Sequence, residues 1–385
     1  MFFILSFIFI LAAVMITLKI LIGYNPEISL KNRLIISFVV VFAWYCPVLS
    51  RFLRRLHVLS AEANLVVSQS LYVIFVTAFF LLCLLMIRDM VWIPGYKIAL
   101  KFKKASAAFD PMKPSVIKKA NIITAAATLL LSGYAVYEGV KFPQLKETVI
   151  PTRKLDSAFR IVALTDMHIT PVTPVSRINR IVRTVNELKP DVIVLAGDII
   201  DSKPYRLENE MRALANLKAK YGVFVTLGNH EFYHGSFEWE KTFKKMGFSY
   251  LANNGLMLKG SNVYLSGLPD PQLLKINDAA MEGVRNTLKK APPSAFRVFL
   301  SHSPRFIKRL DRRLIDLQIS GHTHGGQIFP FHFAVKRFND FVAGLYDVDG
   351  MTLYISRGVS GWGPPMRLFA PSEISVIDLI PEKKN

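Results

Sequence analysis

Hydrophobic residues are distributed unevenly along this chain, and its two parts carry different patterns. Residues 1–140 contain long apolar stretches with few charges, whereas the remainder alternates short apolar runs with polar segments. A helix needs about 20 predominantly apolar residues to cross a bilayer. The pattern therefore predicts a membrane region followed by a domain that folds in water.

Four apolar stretches predict an all-α region of four transmembrane helices, at residues 2–22, 34–53, 65–87 and 120–140. A cleavable signal peptide is the alternative for the first stretch, but its leading end lacks a basic residue and further spans follow. A buried soluble helix is the alternative for the fourth, but Lys118 and Lys119 precede it as anchors. We therefore interpret all four as spans.

Basic residues in the short loops predict the orientation of these spans. The first and third loops together contain more lysine and arginine than the second, so they are predicted to be cytoplasmic. With four spans, everything after Val140 then lies on the outer side, and with three the orientation reverses. Trp92, Tyr96 and the basic run after them predict either a segment along the lipid head groups or a plain hydrophilic loop.

The pattern changes after Val140. Residues 141–157 are polar and include Pro143 and Pro151, which predicts a linker that begins as a tether, with an edge strand at 148–151. In the domain at 158–385, short apolar runs predict strands at 159–165, 191–196, 222–227, 256–268, 296–300, 317–320, 351–356 and 373–379. Segments with helical spacing predict helices at 174–188, 207–220, 237–246 and 277–290. Strands that alternate with helices indicate a layered α/β domain.

Composition and charge narrow the class of protein. The hydrophobic content of 51% fits the predicted membrane region, and the formal net charge of +20 suits anionic substrates or anionic lipid head groups. No zinc-finger, basic-zipper or aromatic RNA-binding motif is present, so nucleic acid is not an expected partner. The two cysteines, Cys46 and Cys83, both lie in apolar stretches, which leaves the C-terminal domain without disulfides or thiol chemistry.

Five short motifs in this domain are rich in metal-binding side chains, and most of them follow a predicted strand. In α/β sheets ligands bind beyond the carboxyl ends of the strands, which places the motifs at one edge. Together they contain enough Asp, Asn and His to hold two divalent metals. The motifs are Asp166-Met167-His168, Gly197-Asp198-Ile199-Ile200-Asp201, Gly228-Asn229-His230-Glu231, His302 and Gly321-His322-Thr323-His324.

The order of these motifs resembles the calcineurin-like metallophosphoesterase superfamily. The resemblance extends from Phe159 to the C-terminus, and all five motifs occur in the expected order. Gly325-Gly326-Gln327 and the stretch from Arg357 to Arg367 resemble a bacterial, membrane-anchored branch. The resemblance implies a four-layer α/β/β/α sandwich and metal-dependent hydrolysis of phosphoric esters.

The resemblance also implies roles for individual residues. Asp166, His168 and His324 would hold one metal. Asn229, His302 and His322 would hold the other, and Asp198 would bridge the two. Carboxylate, imidazole and amide ligands suit Mn²⁺, Fe or Zn²⁺.

Two further residues are assigned to catalysis by the resemblance. A hydroxide bridging the metals would attack phosphorus, and His230 would act as a general acid oriented by Asp201. Arg357 and Arg367 are predicted phosphate contacts, because arginine forms bidentate pairs with phosphate. A surface salt bridge is the alternative for each arginine.

The leading hypothesis is a phosphodiesterase or pyrophosphatase in a bacterial inner membrane with its domain on the periplasmic or extracellular side. Membrane lipids are then partners, and a lipid-linked phosphate is a favoured substrate. A protein Ser/Thr phosphatase is one alternative, but Ser202 stands where those relatives carry arginine. A cytoplasmic lipid A pathway pyrophosphatase and a non-catalytic scaffold are further alternatives. The sequence does not specify the oligomeric state.

Overall fold

The computed structural model describes residues 2–23, 27–56, 58–270 and 278–382. The chain divides into two compact units. One consists of Met1–Tyr137 with Gly363–Met366, and the other of Glu138–Trp362 with Arg367–Asn385. Each unit has its own hydrophobic core.

Helices make up most of the first unit. They are α1 (Phe2–Leu18, followed by a π-helical turn at Lys19–Gly23), α2 (Leu30–Leu56), α3 (Ala61–Lys101) and α4 (Pro114–Val140). Among the described residues, α2, α3 and α4 are long and apolar enough to cross a membrane, and a shorter apolar helix covers Ile8–Gly23. Three of the four expected spans therefore have the required length and composition, and a span at 2–22 stays a prediction.

Helix α3 is longer than the bilayer requires. Its 41 residues correspond to about 60 Å at 1.5 Å per residue, roughly twice the hydrocarbon thickness. Trp92 and Tyr96 lie within this helix, which continues past Pro94. The alternative of a hydrophilic loop at these residues is therefore wrong, while their placement at the head groups stays a prediction.

The second unit contains two six-stranded sheets. In spatial order, the first consists of β1 (Gln144–Thr152), β12 (Glu373–Pro381), β2 (Phe159–Leu164), β3 (Val192–Ala196), β4 (Val223–Thr226) and β5 (Ser249–Tyr250). The second consists of β10 (Gly344–Val348), β11 (Met351–Ile355), β9 (Leu317–Ser320), β8 (Phe296–Ser301), β7 (Val263–Leu268) and β6 (Asn254–Met257).

Six helices accompany these sheets. They are α5 (Val175–Glu187), α6 (Glu208–Leu214), α7 (Asn229–Tyr233), α8 (Ser236–Lys245), α9 (Asp278–Lys289) and α10 (Phe331–Asn339). Alternate residues of each strand point to opposite faces of a sheet. In β2, Ile161 packs between the two sheets, whereas Val162 packs against the helices that include α5. A further core lies between the second sheet and α9. These three cores confirm the expected four-layer α/β/β/α sandwich.

The structure changes the predicted boundary between linker and domain. Strand β1 begins at Gln144 and pairs in parallel with β12 along its whole length. Most of the segment 141–157 is therefore part of the first sheet, and the edge strand extends well beyond residues 148–151. The sequence pattern did not predict the full length of this strand, because only one face of an edge strand contacts the core and polar residues occupy the other face.

Helix α6 is shorter than the predicted helix at 207–220. The side chain of Asn216 donates hydrogen bonds to the carbonyls of Arg212 and Ala213, at 2.9 and 3.2 Å. An asparagine side chain that binds nearby backbone groups competes with the helix. Four further strands and helices of the described residues, β5, α7, α10 and β10, were not predicted. The start of the helix at 277–290 lies outside the described residues at Asn277, and the rest forms α9.

The strand directions determine where the motifs meet. Strands β2, β3 and β4 are parallel neighbours in the first sheet, and β8 and β9 are parallel neighbours in the second. Their carboxyl ends therefore lie at one end of each sheet. Every candidate metal ligand follows one of these five strands, so the two packed sheets both contribute to a single site.

Candidate dimetal active site

The loops that carry the motifs have unusual backbone conformations. Five of the candidate ligands have positive φ angles between 44° and 71°: Asp166, His168, Asp198, His322 and His324. Such conformations are uncommon for residues with a Cβ, and they cluster at functional sites. The loops therefore hold side chains in directions that an ordinary strand end does not provide.

Two glycines permit the close approach of these loops. A Cβ on Gly228 would lie 2.2 Å from Asp198 Oδ1, and one on Gly321 would lie 2.1 Å from Asp166 Oδ2. Both distances are far below van der Waals contact. The glycines that precede Asn229 and His322 are thus required by packing around the two carboxylates.

The first group of candidate ligands is Asp166, His168 and His324. One ligand atom from each lies within 4.8 Å of the others. The Nε2 atoms of His168 and His324 are 3.1 Å apart, and His324 Nε2 is 3.4 Å from Asp166 Oδ1. All three residues are buried. Their donor atoms face one another, as ligands of one cation do.

The second group is Asp198, His302 and His322, whose ligand atoms also lie within 4.8 Å of one another. His302 Nδ1 donates to the carbonyl of Ala196 at 3.0 Å, which directs Nε2 towards Asp198. That Nε2 lies 3.1 Å from Asp198 Oδ2, out of hydrogen-bond alignment. A histidine held by its second nitrogen is typical of metal ligands.

The polar atoms of this second group fit a bound cation. Asn229 Oδ1 and His302 Nε2 are buried without a hydrogen-bond partner among the described residues. Buried polar atoms normally have a partner, and those without one need an explanation. An amide oxygen and an imidazole nitrogen are both good ligands of divalent metals. The residues therefore fit the metal that the motifs predict.

Asp198 connects the two groups. It belongs to the group with His302 and His322 and also to a group with His168 and His230. Its Oδ1 accepts a hydrogen bond from the backbone N–H of His230 at 2.8 Å. A carboxylate with neighbours on both sides is suited to bridging two cations.

Asp201 contacts two histidines. Its Oδ1 is paired with Nδ1 of His230 and lies 3.1 Å from Nδ1 of His168. Both histidines thus direct Nε2 towards the site. The sequence predicted the contact with His230 and missed the one with His168.

The buried charges shift one another's pKa values. Burial alone would raise the pKa of Asp198, but the surrounding imidazoles, His302 foremost, outweigh this and lower it. Burial lowers the pKa of His168, but Asp201 and the other carboxylates raise it to about 9. Burial lowers the pKa of His324 to about 3, although the negative charge of Asp166 acts to raise it. A cation at His168 would therefore have to displace a proton at neutral pH.

Glu231 supports the loop that carries Asp198. Its Oε1 accepts from the N–H groups of Ile199 and Ile200 at 2.7 and 3.2 Å. Its Oε2 accepts from those of Asp198 and Gly228 at 3.0 and 2.7 Å. Burial and the Asp198 carboxylate raise the pKa of Glu231 to about 7, although the backbone donors oppose this. The side chain thus joins two loops that carry candidate metal ligands.

Replacing Glu231 with glutamine should destabilise the domain and weaken metal binding. Either oxygen that becomes an amino group would face two N–H donors, and a buried polar group left unsatisfied costs about 1–3 kcal/mol. We expect a lower Tm and less bound metal, measured by thermal unfolding and elemental analysis. Glu208→Gln, on the exposed surface, is the matched control. An unchanged Tm and metal content would contradict this role.

The two arginines occupy different environments. Arg367 is fully buried, and it donates to the carbonyls of His324, Arg357, Ser360 and Ala370. This placement disagrees with the predicted phosphate contact, because the guanidinium is buried and already donates hydrogen bonds to these backbone carbonyls. Arg357 is partly exposed and donates to Glu373 at 2.9 Å.

Sequence reasoning missed Asp270. It is buried, and its charge helps to raise the pKa of His302, after the opposing effect of burial and the stronger effects of Asp198 and Asp166. It follows β7 and carries no motif, so only the neighbouring position of β7 and β8 could indicate it. His234 also lies in a group with Asp201 and His230.

Comparison with known proteins identifies the family of this chain. The family model described as calcineurin-like phosphoesterase matches residues 159–326. The chain is 36% identical to a metallophosphoesterase of Helicobacter pylori over 269 residues, which are 69% of this chain and 72% of that protein. It is 36% identical to one of Campylobacter jejuni over 268 residues, which are 67% and 70% of the two chains.

A third relative is a transmembrane protein with metallophosphoesterase domain from Danio rerio. It is 31% identical over 272 residues, which are 67% of this chain and 62% of that protein. Fold and site define a metal-dependent phosphoesterase. The chain belongs to the calcineurin-like metallophosphoesterase family.

Proposed function

We propose that this protein is a membrane-anchored phosphodiesterase or pyrophosphatase with two divalent metals. The observation that carries the proposal is the position of Asp198 between two groups of buried ligands. Asp166, His168 and His324 would hold one cation, and Asn229, His302 and His322 the other. When bound, the cations supply Lewis acidity towards phosphoryl oxygens and activate water.

The protein's own side chains then bind and position the reacting groups. His230 is partly exposed at the edge of the ligand groups, with Nδ1 held by Asp201. Its Nε2 is available to donate a proton to the leaving-group oxygen, which makes it the general acid. Arg357 is the arginine whose exposure suits a phosphate contact, and Arg367 instead positions His324.

Ser202 weighs against the alternative of a protein Ser/Thr phosphatase. This residue is buried, and its carbonyl accepts a hydrogen bond from Trp239 at 3.0 Å. It places no cationic group where those relatives carry arginine. The scaffold alternative is weakened because every ligand position retains a donor side chain.

The purified full-length protein should hydrolyse an aryl phosphodiester when loaded with Mn²⁺. We expect EDTA to abolish the activity and added metal to restore it. Phospholipids, lipid pyrophosphates and nucleotides, assayed under the same conditions, would identify the substrate class, and anchoring near head groups favours the lipids. A protein that binds metal but hydrolyses none of these would be a scaffold.

A C-terminal alkaline phosphatase fusion should be active if the domain is periplasmic. The prediction follows from four spans and from the basic residues between α3 and α4. A matched fusion after Asp110, in that basic loop, should be inactive, and a fluorescent cytoplasmic reporter should give the opposite pattern. Activity of the Asp110 fusion with silence of the C-terminal one would reverse the orientation.

A further inference from the structure

Helix α10 is an amphipathic element that supplies none of the candidate metal ligands. None of its residues is buried. His332, Val335 and Asn339 are partly covered and lie on one side of the helix. The exposed arc on the other side carries Phe333, Ala334, Lys336, Arg337 and Phe338. The helix therefore presents aromatic and basic side chains together to its surroundings.

The exposed aromatic surface continues beyond the helix. Phe329 lies 6.1 Å from Phe333 and 5.7 Å from Phe369, measured between ring centroids. Phe333, Phe338 and Phe369 have exposed fractions of 63%, 68% and 76%. We call Phe329, Phe333, Phe338 and Phe369 the aromatic surface. Three of these rings, Phe329, Phe333 and Phe369, are contiguous, and exposed apolar surfaces of this kind mark contacts with proteins or membranes.

The backbone conformation at Phe369 holds its side chain in an exposed position. Phe369 has a φ of 59°, which is strained for a bulky residue. The adjacent Leu368 is held by hydrogen bonds with Gln327 and Phe329, at 2.9 and 3.2 Å. The carbonyl of Ala370, on the other side, accepts from buried Arg367 at 2.6 Å. The loop is thus fixed in a conformation that keeps a phenyl ring in solvent.

Basic residues accompany the aromatic surface. Lys336 and Arg337 are on the exposed arc itself. Next to the helix, Asp340 is paired with Lys308 at 2.8 Å, and Arg305 lies 4.0 Å from it. Four cationic side chains therefore accompany one carboxylate. A surface of this charge is complementary to anionic lipid head groups.

We propose that α10 and the Phe369 loop lie in the interface of an anionic lipid bilayer. Aromatic rings and basic residues on one short helix are the combination that favours the boundary between head groups and acyl chains. Helices α2, α3 and α4 of the same chain are long and apolar enough to cross a membrane, so lipid would be available at a high local concentration. The proposed contact does not rest on the hydrolytic function proposed above.

Spin labels can test this contact in the full-length protein. The two native cysteines, Cys46 and Cys83, would be replaced by alanine. A nitroxide at Phe338→Cys or Phe369→Cys would then be measured in nanodiscs of phosphatidylcholine with phosphatidylglycerol. We expect the ratio of collisions with oxygen to those with an aqueous nickel chelate to be several-fold higher than at Tyr205→Cys. Tyr205 is the matched control because it is 74% exposed outside the proposed contact.

Each other outcome of this experiment counts against the proposal. Equal ratios at all three sites would place α10 in water, and low collision rates with both reagents would indicate a protein partner. The double variant Lys336→Glu and Arg337→Glu should lower the ratio at residue 338 in anionic nanodiscs and leave it unchanged in pure phosphatidylcholine. A ratio insensitive to lipid charge in the parent protein would overturn the choice of anionic lipid. Thermal unfolding would verify that each variant is folded.

Discussion

Replacing Asp198 with alanine should remove most of the bound metal and reduce hydrolysis to the level of the metal-free protein. Asp198 belongs to the second group of ligands and also to a group with His168, a member of the first, so we expect its loss to affect both cations. The remaining imidazoles would then lack the negative charge of the Asp198 carboxylate, which lies next to them. Because removing even one preorganised donor costs about 10²–10³-fold in kcat, we expect a larger loss here.

The measurement is metal content per chain alongside turnover of an aryl phosphodiester. Asp198→Asn is the companion variant, since it retains an oxygen that can accept from the N–H of His230 but lacks the charge. If the charge is what matters, both variants lose metal. Asp156→Ala, on the exposed surface, should change neither quantity. Full metal content and activity in Asp198→Ala would remove the bridging assignment.

Replacing His230 with alanine should lower kcat by about 10²–10⁴-fold, the usual contribution of general acid–base catalysis, while the protein keeps its metals. The structure also permits another role, because His230 lies within ligand distance of His168 and Asp198. Metal analysis separates the two roles. A variant that loses metal would identify His230 as a ligand, and the general-acid assignment would be wrong.

The leaving group provides a second measurement for His230. A nitrophenolate leaves readily without a proton, whereas an alkoxide does not. The variant should therefore be impaired much more on alkyl esters than on nitrophenyl esters, which a purely structural role would not produce. Asp201→Asn should show a weaker form of the same dependence, because Asp201 holds Nδ1 of His230. Asp156→Ala, on the exposed surface, should show none.

Sequence patterns alone predicted that the metal-binding motifs meet, because they follow strands whose ends lie at one edge, whereas the role of each ligand was implied by the family resemblance. Asp166, Asp198 and Asn229 come after three apolar runs in succession, and parallel strands place such positions at one edge of a sheet. The same reasoning reached His302 and His322 in the second sheet. Here local sequence order and spatial neighbourhood coincide.

The roles of Glu231, Arg367 and Asp270 depend on contacts between segments distant in sequence. Glu231 binds N–H groups of a loop about thirty positions away, and backbone donors leave no signature in side-chain chemistry. Arg367 was expected at phosphate because arginine suits it, but the loop around His324 encloses it completely. Burial of a single charged residue is a property of tertiary packing.

The sequence by itself determined the class of site, the strands that carry it and the apolar segments that can reach through a membrane. Hydrophobic periodicity and the chemistry of Asp, Asn and His are local properties, so they can be identified from the sequence. Only the tertiary structure decided that β1 completes the first sheet, that Asp201 serves two histidines and that α10 exposes its aromatic residues. Each of these three features depends on contacts between segments that are distant in the sequence, and such contacts form only when the chain folds.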